Sequence, residues 1–421
     1  VSNQTTVGNR QTSLARLVWA WEACIRTALA VSVVLIGVGR IDFLSPLPGL
    51  SAWSVSRTTF FFWLIGRLYF FWRTRTHWNL TWSECRPLLL FLAAAVFSLV
   101  PSFQDLGDFR YLFFALGHGV MVLDVLRKET EQRFVIVGLG LLPALVLLRG
   151  LFANPAILDF SLTQRLGYPL DHANTAGHLL AMSLPLSVAL LLSSLARWRL
   201  LAAGAAVAQL IALLLTYSRG AWLGVAGAMA FLLVALGTRK EFLLILVSVV
   251  VLLSAVEPVR ERMLGIVAMG NDQATTDRIS RMSDALRVGM ANPVLGVGYG
   301  RGRLKAAIRA NPASETSVNE PIWHSHNHYL ELFAGTGIIG LGAYLWLLVK
   351  AFANTSRKVN QTLNDDRILT LGLAASAVAM LLCGLGDVTF HHHETRLFCF
   401  TLLALMLLAH NPERSTGQNT K

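Results

Sequence analysis

Apolar runs close to the ~20 residues that cross a bilayer recur from one end of this 421-residue chain to the other. Twelve candidate spans fall at about 22–39, 48–72, 87–103, 109–125, 133–153, 175–193, 199–216, 219–237, 241–256, 328–350, 367–386 and 394–410. Backbone groups in lipid must be satisfied internally, which leaves helices or a closed barrel. The runs are continuous and not alternating, so the expected class is all-α: a polytopic membrane protein with about twelve transmembrane helices. Only 14% of residues are charged, against roughly 25% in soluble domains, and mean hydropathy is +0.54. A soluble enzyme with a single anchor is excluded. The second span contains Arg57 and Arg67, and charges inside a span face a cavity or snorkel to an interface. The first twenty residues are polar, so no cleavable signal peptide is expected and the first helix inserts uncleaved.

The formal net charge of +12 would suggest nucleic acid in a soluble protein. In a membrane protein, basic residues collect in cytoplasmic loops, and no nucleic-acid partner is expected. With a cytoplasmic N-terminus, eighteen Arg and Lys residues fall on inner segments; Arg40, Arg165, Arg219 and Arg396 are the main outer ones. Both termini are therefore placed inside. Thirty of the 36 basic residues are Arg, whose planar fork grips phosphate where Lys offers a point charge. Cys24, Cys85, Cys383 and Cys399 show no metal-like spacing and no disulfide framework.

Three units follow: residues 1–256 with nine spans, an outer loop over 257–327, and 328–421 with three spans and a tail. Loops as long as 257–327 are uncommon without a purpose. Within it, Thr276 to Met290 reads as an amphipathic helix with Ile279, Met282 and Leu286 on one stripe. Arg278 and Arg281 are three apart and share a surface. Asn292-Pro293 ends this helix, and Gly296-Val297-Gly298-Tyr299-Gly300-Arg301-Gly302-Arg303 reads as a flexible basic turn. Its glycines superficially resemble a dinucleotide fingerprint, but no strand–turn–helix unit surrounds them.

The loop ends in His324-Ser325-His326-Asn327-His328-Tyr329, at the mouth of an apolar, glycine-studded helix. His326 there is either an interfacial anchor or a general base near its ordinary pKa of about 6.5. His324 and His328, with His391-His392-His393 further on, raise the question of a metal. No close carboxylate or cysteine is evident, and no metal site is assigned. Arg219, in Thr216-Tyr217-Ser218-Arg219-Gly220, either snorkels or meets a phosphate, since an outer arginine runs against the positive-inside bias. The loop from Arg165 to Asn174 includes Asp171; Asp171 or Asn174 either caps the sixth span or contributes to a site. Asp387 and Glu394 flank the second histidine run and either balance nearby arginines or join the site.

His326-Asn327, nine residues, Gly337, two residues and Gly340 together resemble the signature of the O-antigen ligase family. The Ser218-Arg219-Gly220 turn, the Asn292-Pro293…Gly296-Val297-Gly298 loop and the architecture over nearly the whole chain are similar as well. The signature does not separate ligases from O-antigen polymerases or protein O-oligosaccharyltransferases. The resemblance implies a GT-C-like, metal-independent, inverting glycosyltransferase of the bacterial inner membrane, with a periplasmic active site and no cofactor. The donor would be polysaccharide on undecaprenyl diphosphate and the acceptor a lipid A–core oligosaccharide, both held among membrane lipids. His326 would act as base, Arg219, Arg278 and Arg281 would meet the diphosphate, and Arg165, His324, Asn327, His328, Asn174 and Asp387 would line the substrates. A lipid-linked oligosaccharide flippase is the alternative from a different class.

Overall fold

The computed structural model describes residues 2–38, 51–74, 79–100, 106–159, 164–170, 172–237, 257, 260–261, 273–310 and 324–408. Among them the regular structure is helical, with no strand. In chain order the helices are α1 (Ser2–Val38), α2 (Ala52–Thr74), α3 (Trp82–Phe97), α4 (Gly107–Val125), α5 (Glu129–Leu141) and α6 (Leu145–Ala153). There follow α7 (Ala173–Leu192), α8 (Ala196–Leu215), α9 (Arg219–Leu236), α10 (Gln273–Ala291), α11 (Arg301–Ala310), α12 (His328–Gln361), α13 (Asn364–Gly386) and α14 (His393–Leu407). Among the described residues seven segments are long and apolar enough to cross a membrane, with α5, the 3₁₀ turn Leu142–Ala144 and α6 counting as one. Helices α2, α3, α4 and α14 occupy four more of the expected ranges without meeting that measure, and α3 and α14 have only 16 and 15 residues. The expected span at 241–256 lies outside the described residues, as does Asp171.

A helix that is apolar on every side belongs in the middle of a bundle. That is where α14 sits: from Thr395 to Leu407 every residue is buried. Helices α7 and α13 pack beside it, with 83% and 72% of their apolar windows buried. Close approach uses small residues, as membrane packing without a hydrophobic drive requires. A Cβ on Gly224 of α9 would lie 2.6 Å from Cys383 Sγ of α13, and one on Gly372 of α13 would lie 2.5 Å from Ala189 Cβ of α7. Helix α2 resolves the two intraspan arginines differently. Arg57 is exposed, whereas Arg67 is buried and pairs with Asp124 of α4 at 2.6 Å.

The segment between α9 and α12 carries two helices among its described residues. The expected amphipathic helix is α10. The basic turn that follows is ordered only in part as a turn, because Arg301 opens α11. Gly296, Gly298 and Gly300 have φ of 67°, 98° and 138°, which lets the chain reverse between α10 and α11. This reversal docks onto α12. Val297 N donates to Ala334 O (2.9 Å), Gly298 N to Gly335 O (2.9 Å) and Ile338 N to Pro293 O (2.8 Å). Helix α12 is interrupted to allow this: Gly337 has φ 63° and ψ −167°. A Cβ at Gly337 would stand 2.1 Å from Val294 O. The signature glycine is thus where the intervening segment is fastened to the histidine-bearing helix.

Candidate active site

Four segments converge at the N-terminal end of α12. They are the 324–327 loop, the turn from Asp387 to His392 between α13 and α14, the 164–174 stretch leading into α7, and α10. Asn327 is the N-cap of α12: its side-chain oxygen accepts from Tyr329 N and Leu330 N, both at 3.0 Å, and its Nδ2 donates to Leu385 O at 3.1 Å. The residue beside His326 in the signature therefore fixes the helix start and ties it to the end of α13. Ser325 N donates to Glu331 Oε2 (2.8 Å) and Ser325 Oγ to Asn327 O (2.8 Å). Between them His326 is held at φ 56°, a left-handed conformation that costs a non-glycine residue of order 1–3 kcal/mol.

Asp387 is the hub. His324 Nε2 lies 2.7 Å from Asp387 Oδ1, and His326 Nδ1 lies 3.5 Å from the same oxygen. Asn174 Nδ2 donates to Asp387 Oδ2 at 2.8 Å. Arg165 stands behind Asn174, its Nη2 donating to Asn174 Oδ1 (2.9 Å) and its Nε to Thr216 O (2.8 Å). Arg165 thereby fastens the turn before Arg219 to the start of α7. On the other side of the imidazole, Arg281 Nη1 is 3.4 Å from His326 Nε2. Arg281 Nε is buried with no hydrogen-bond partner among the described residues. Arg219 opens α9, and its Nη2 reaches Thr275 Oγ1 at 3.3 Å. Thr275 is one helical turn from Arg278, so Arg219 and the α10 arginines approach the same region from two elements.

The electrostatics separate acid from base. Burial and the neighbouring histidines act in opposite directions on Asp387: burial pushes its pKa up, but the contacts from His324 and His326 hold it well below the usual carboxylate range. Burial lowers the pKa of His326, with Asp387 opposing and His324 and Arg278 adding to the shift. His326 is thus a neutral imidazole. Asp387 Oδ1 lies 3.5 Å from Nδ1 without forming a hydrogen bond there, and Arg281 Nη1 lies 3.4 Å from Nε2. A neutral imidazole beside a carboxylate, with its other nitrogen toward a cation, can act as a general base.

The positions of several expected site residues differ from a substrate-lining role. His328 turns into the bundle, 2% exposed, its ring 4.2 Å from Phe390 and 5.2 Å from Tyr344. It is not brought to the His324–His326 cluster. His172, not Asn174, caps α7, its Nδ1 accepting from Asn174 N at 3.2 Å. Asn174 instead bridges Arg165 and Asp387. The missing carboxylate partner for the histidines is Asp387, more than 60 residues away in the chain. The ligand atoms of His324, His326 and Asp387 lie within 4.8 Å of one another, a group among the described residues that could hold a metal ion.

Sequence reasoning missed a second layer. His391 lies tilted against His324 with ring centroids 4.6 Å apart, and Arg301 Nη1 is 2.7 Å from His391 Nε2. Arg301 also pairs with Asp108 of α4, its backbone N–H donating to Oδ2 at 2.7 Å. Asp108 carried no signal, since a lone aspartate at a helix start reads as ordinary capping. Arg396, expected on an outer loop, is buried and donates from Nε to Phe390 O at 2.7 Å, holding the 388–392 turn.

Comparison with known proteins agrees with this geometry. Residues 204–345 match the protein family described as O-antigen ligase. The matched stretch runs from α8 to the middle of α12 and so contains Arg219, Arg278, Arg281, His324, His326 and Gly337. No curated protein matches the chain. The match covers the part of the chain that holds the glycine and histidine signature at the docked loop, and the apolar helices are those of a multi-pass membrane protein.

Proposed function

We propose that the protein is an O-antigen ligase of the bacterial inner membrane, moving polysaccharide from undecaprenyl diphosphate to a lipid A–core oligosaccharide at the periplasmic face. The observation that supports this most is the His326 imidazole held between Asp387 and Arg281. One atom can take a proton there while an adjacent guanidinium faces a developing anion. The acceptor hydroxyl attacks the anomeric carbon of the donor sugar. His326 Nε2 takes the hydroxyl proton, the new C–O bond forms, and the C–O bond to the diphosphate breaks with its electron pair staying on the phosphate. Direct displacement inverts the anomeric centre. Arg281, Arg278 and Arg219 meet the charge that grows on the leaving diphosphate; such preorganised donors are the usual major source of rate in acyl- and phosphate-leaving chemistry. Arg165 and Asn174 orient Asp387, and His324 shares its carboxylate. No metal is used in this reading, although His324, His326 and Asp387 have the donor set for one.

Reconstitution with purified carrier-linked donor and rough lipopolysaccharide tests the proposal. Polymer-bearing lipopolysaccharide is the expected product. Longer carrier-linked chains without transfer to the core would identify a polymerase instead. Transbilayer movement of donor with neither product would identify a flippase.

A further inference from the structure

At the opposite end of α4 from Asp108, a second polar cavity opens. Asp124 is sixteen residues further along this helix, about 24 Å at 1.5 Å per residue. The cavity measures about 140 Å³ and is bounded by α1, α2, the end of α4 and the start of α5. Its lining alternates four cations, Arg26, Arg67, Arg127 and Lys128, with three carboxylates, Glu22, Asp124 and Glu131. Arg67 lies between Asp124 (2.6 Å) and Glu22 (3.3 Å), and Arg26 lies between Glu22 (3.2 Å) and Glu131 (3.1 Å). Arg127 pairs with Glu84 at 2.9 Å. Lys128 is exposed at the rim.

A second cavity of about 230 Å³ adjoins the first and shares Arg26 and Glu131 with it. Its remaining lining is mostly apolar, with Leu29 and Ala30 from α1 and Phe134 and Val135 from α5. The two cavities follow one another along α1 and α5. On α1, charged Glu22 and Arg26 give way one turn later to Leu29 and Ala30. On α5, Lys128 and Glu131 give way one turn later to Phe134, which is 58% exposed, and Val135. Polarity falls in the same direction on both walls. A headgroup cavity at the surface leading to an apolar groove one turn deeper has the outline of one phospholipid.

We propose that α1 and α5 form a specific site for a glycerophospholipid whose headgroup carries both a phosphate and a primary ammonium. The phosphate would sit against Lys128 and Arg26. The ammonium would donate to Glu22 or Glu131, and an acyl chain would lie in the groove beside Leu29 and Phe134. Carboxylates set between the cations are what select a zwitterionic headgroup over an anionic one, because an anion alone would leave Glu22 and Glu131 facing like charge. This site is independent of the ligase chemistry at the other end of the bundle.

Native mass spectrometry of the full-length protein, delipidated in detergent and then titrated with single lipids, tests it. The expected result is one phosphatidylethanolamine retained per chain. Phosphatidylglycerol, which lacks the ammonium, and phosphatidylcholine, whose quaternary ammonium cannot donate, should each bind at least about tenfold more weakly, the scale of a lost charged hydrogen bond. Lys128→Glu, at an exposed position that leaves packing intact, should weaken phosphatidylethanolamine by a similar factor. Ala30→Trp should block the groove while leaving the headgroup charges in place, and inorganic phosphate in excess should not displace the lipid. Equal retention of the three lipids, wild-type retention by Lys128→Glu, or displacement by inorganic phosphate would overturn the proposal.

Discussion

The proposed reaction concentrates its chemistry in the His326 imidazole, and three outcomes follow from its surroundings. His326→Ala should lower turnover by about 10²–10⁴-fold, the scale of lost general-base assistance, with folding little changed because the loop is held by Ser325, Asn327 and Glu331. Near-normal ligation by well-expressed variant would move the role to His324. Because burial lowers the His326 pKa, the neutral base persists to lower pH than a free imidazole. The acid limb of kcat/KM should therefore fall below about pH 6.5, and activity should decline as pH drops through that limb. Asp387→Asn removes an interaction that raises the His326 pKa, so it should move the limb further to acid while cutting the rate. A limb that moves toward neutral pH would show that Asp387 does not face the working base. Arg219→Lys keeps the charge but loses the fork, and impaired transfer with retained expression is expected. Chelators should leave the rate unchanged; inhibition reversed by a divalent ion would assign His324, His326 and Asp387 to a metal instead.

Among the elements, the interruption in α12 explains why the signature carries glycine at 337. Residues 293–298 pair with 334–338 through three backbone hydrogen bonds, and only a residue without a Cβ fits beneath Val294 O at a φ of 63°. Gly337→Ala should therefore destabilise the protein by about 2 kcal/mol or more. It should also release the α10–α11 connection to protease, both measured against wild type in detergent. An unchanged melting temperature with an intact 292–303 segment would show that α12 tolerates the side chain. Arg219 reaching Thr275, and Arg281 lying on His326, attach α10 to the site from both sides. Donor bound between these arginines should protect residues 273–310 from proteolysis, and protection that is the same without donor would separate α10 from diphosphate binding.

At the scale of the molecule, the two ends of the bundle differ in kind. One end gathers histidines, Asp387 and arginines from distant segments. The other holds the charge network around Asp124. The basic residues predict that the first end faces outward and the second the cytoplasm. In a Cys24→Ser background, where the remaining cysteines are buried, a membrane-impermeant maleimide should label Lys305→Cys in intact spheroplasts. It should label Lys128→Cys only after permeabilisation. The reverse pattern would invert the protein in the membrane and with it the proposed site of transfer.

The one-dimensional pattern was enough for the class. Continuous apolar runs and scarce charge demand helices in lipid, because backbone hydrogen bonds there have no other partner. The helix α10 was legible from periodicity, but its expected stripe was not its packed face: Ile279 and Leu286 are exposed, and Ala285 and Val288 pack against Leu304, Ile308 and Ala334. What the pattern could not carry was pairing between segments far apart in the chain. Asp387 reads as a charge balancing arginines until α13 brings it beneath His324 and His326. Asn174 reads as a cap until Arg165 and Asp387 are placed on either side of it. His328, two residues from His326, looks equivalent in sequence. A left-handed turn at His326 and the start of a helix send the two rings in opposite directions, one to the cluster and one against Phe390. Periodicity describes which face of an element is apolar; only the packing of α7, α10, α12, α13 and α14 around one helix mouth determines which polar atoms meet there, since each contact joins residues whose separation in sequence carries no local signal.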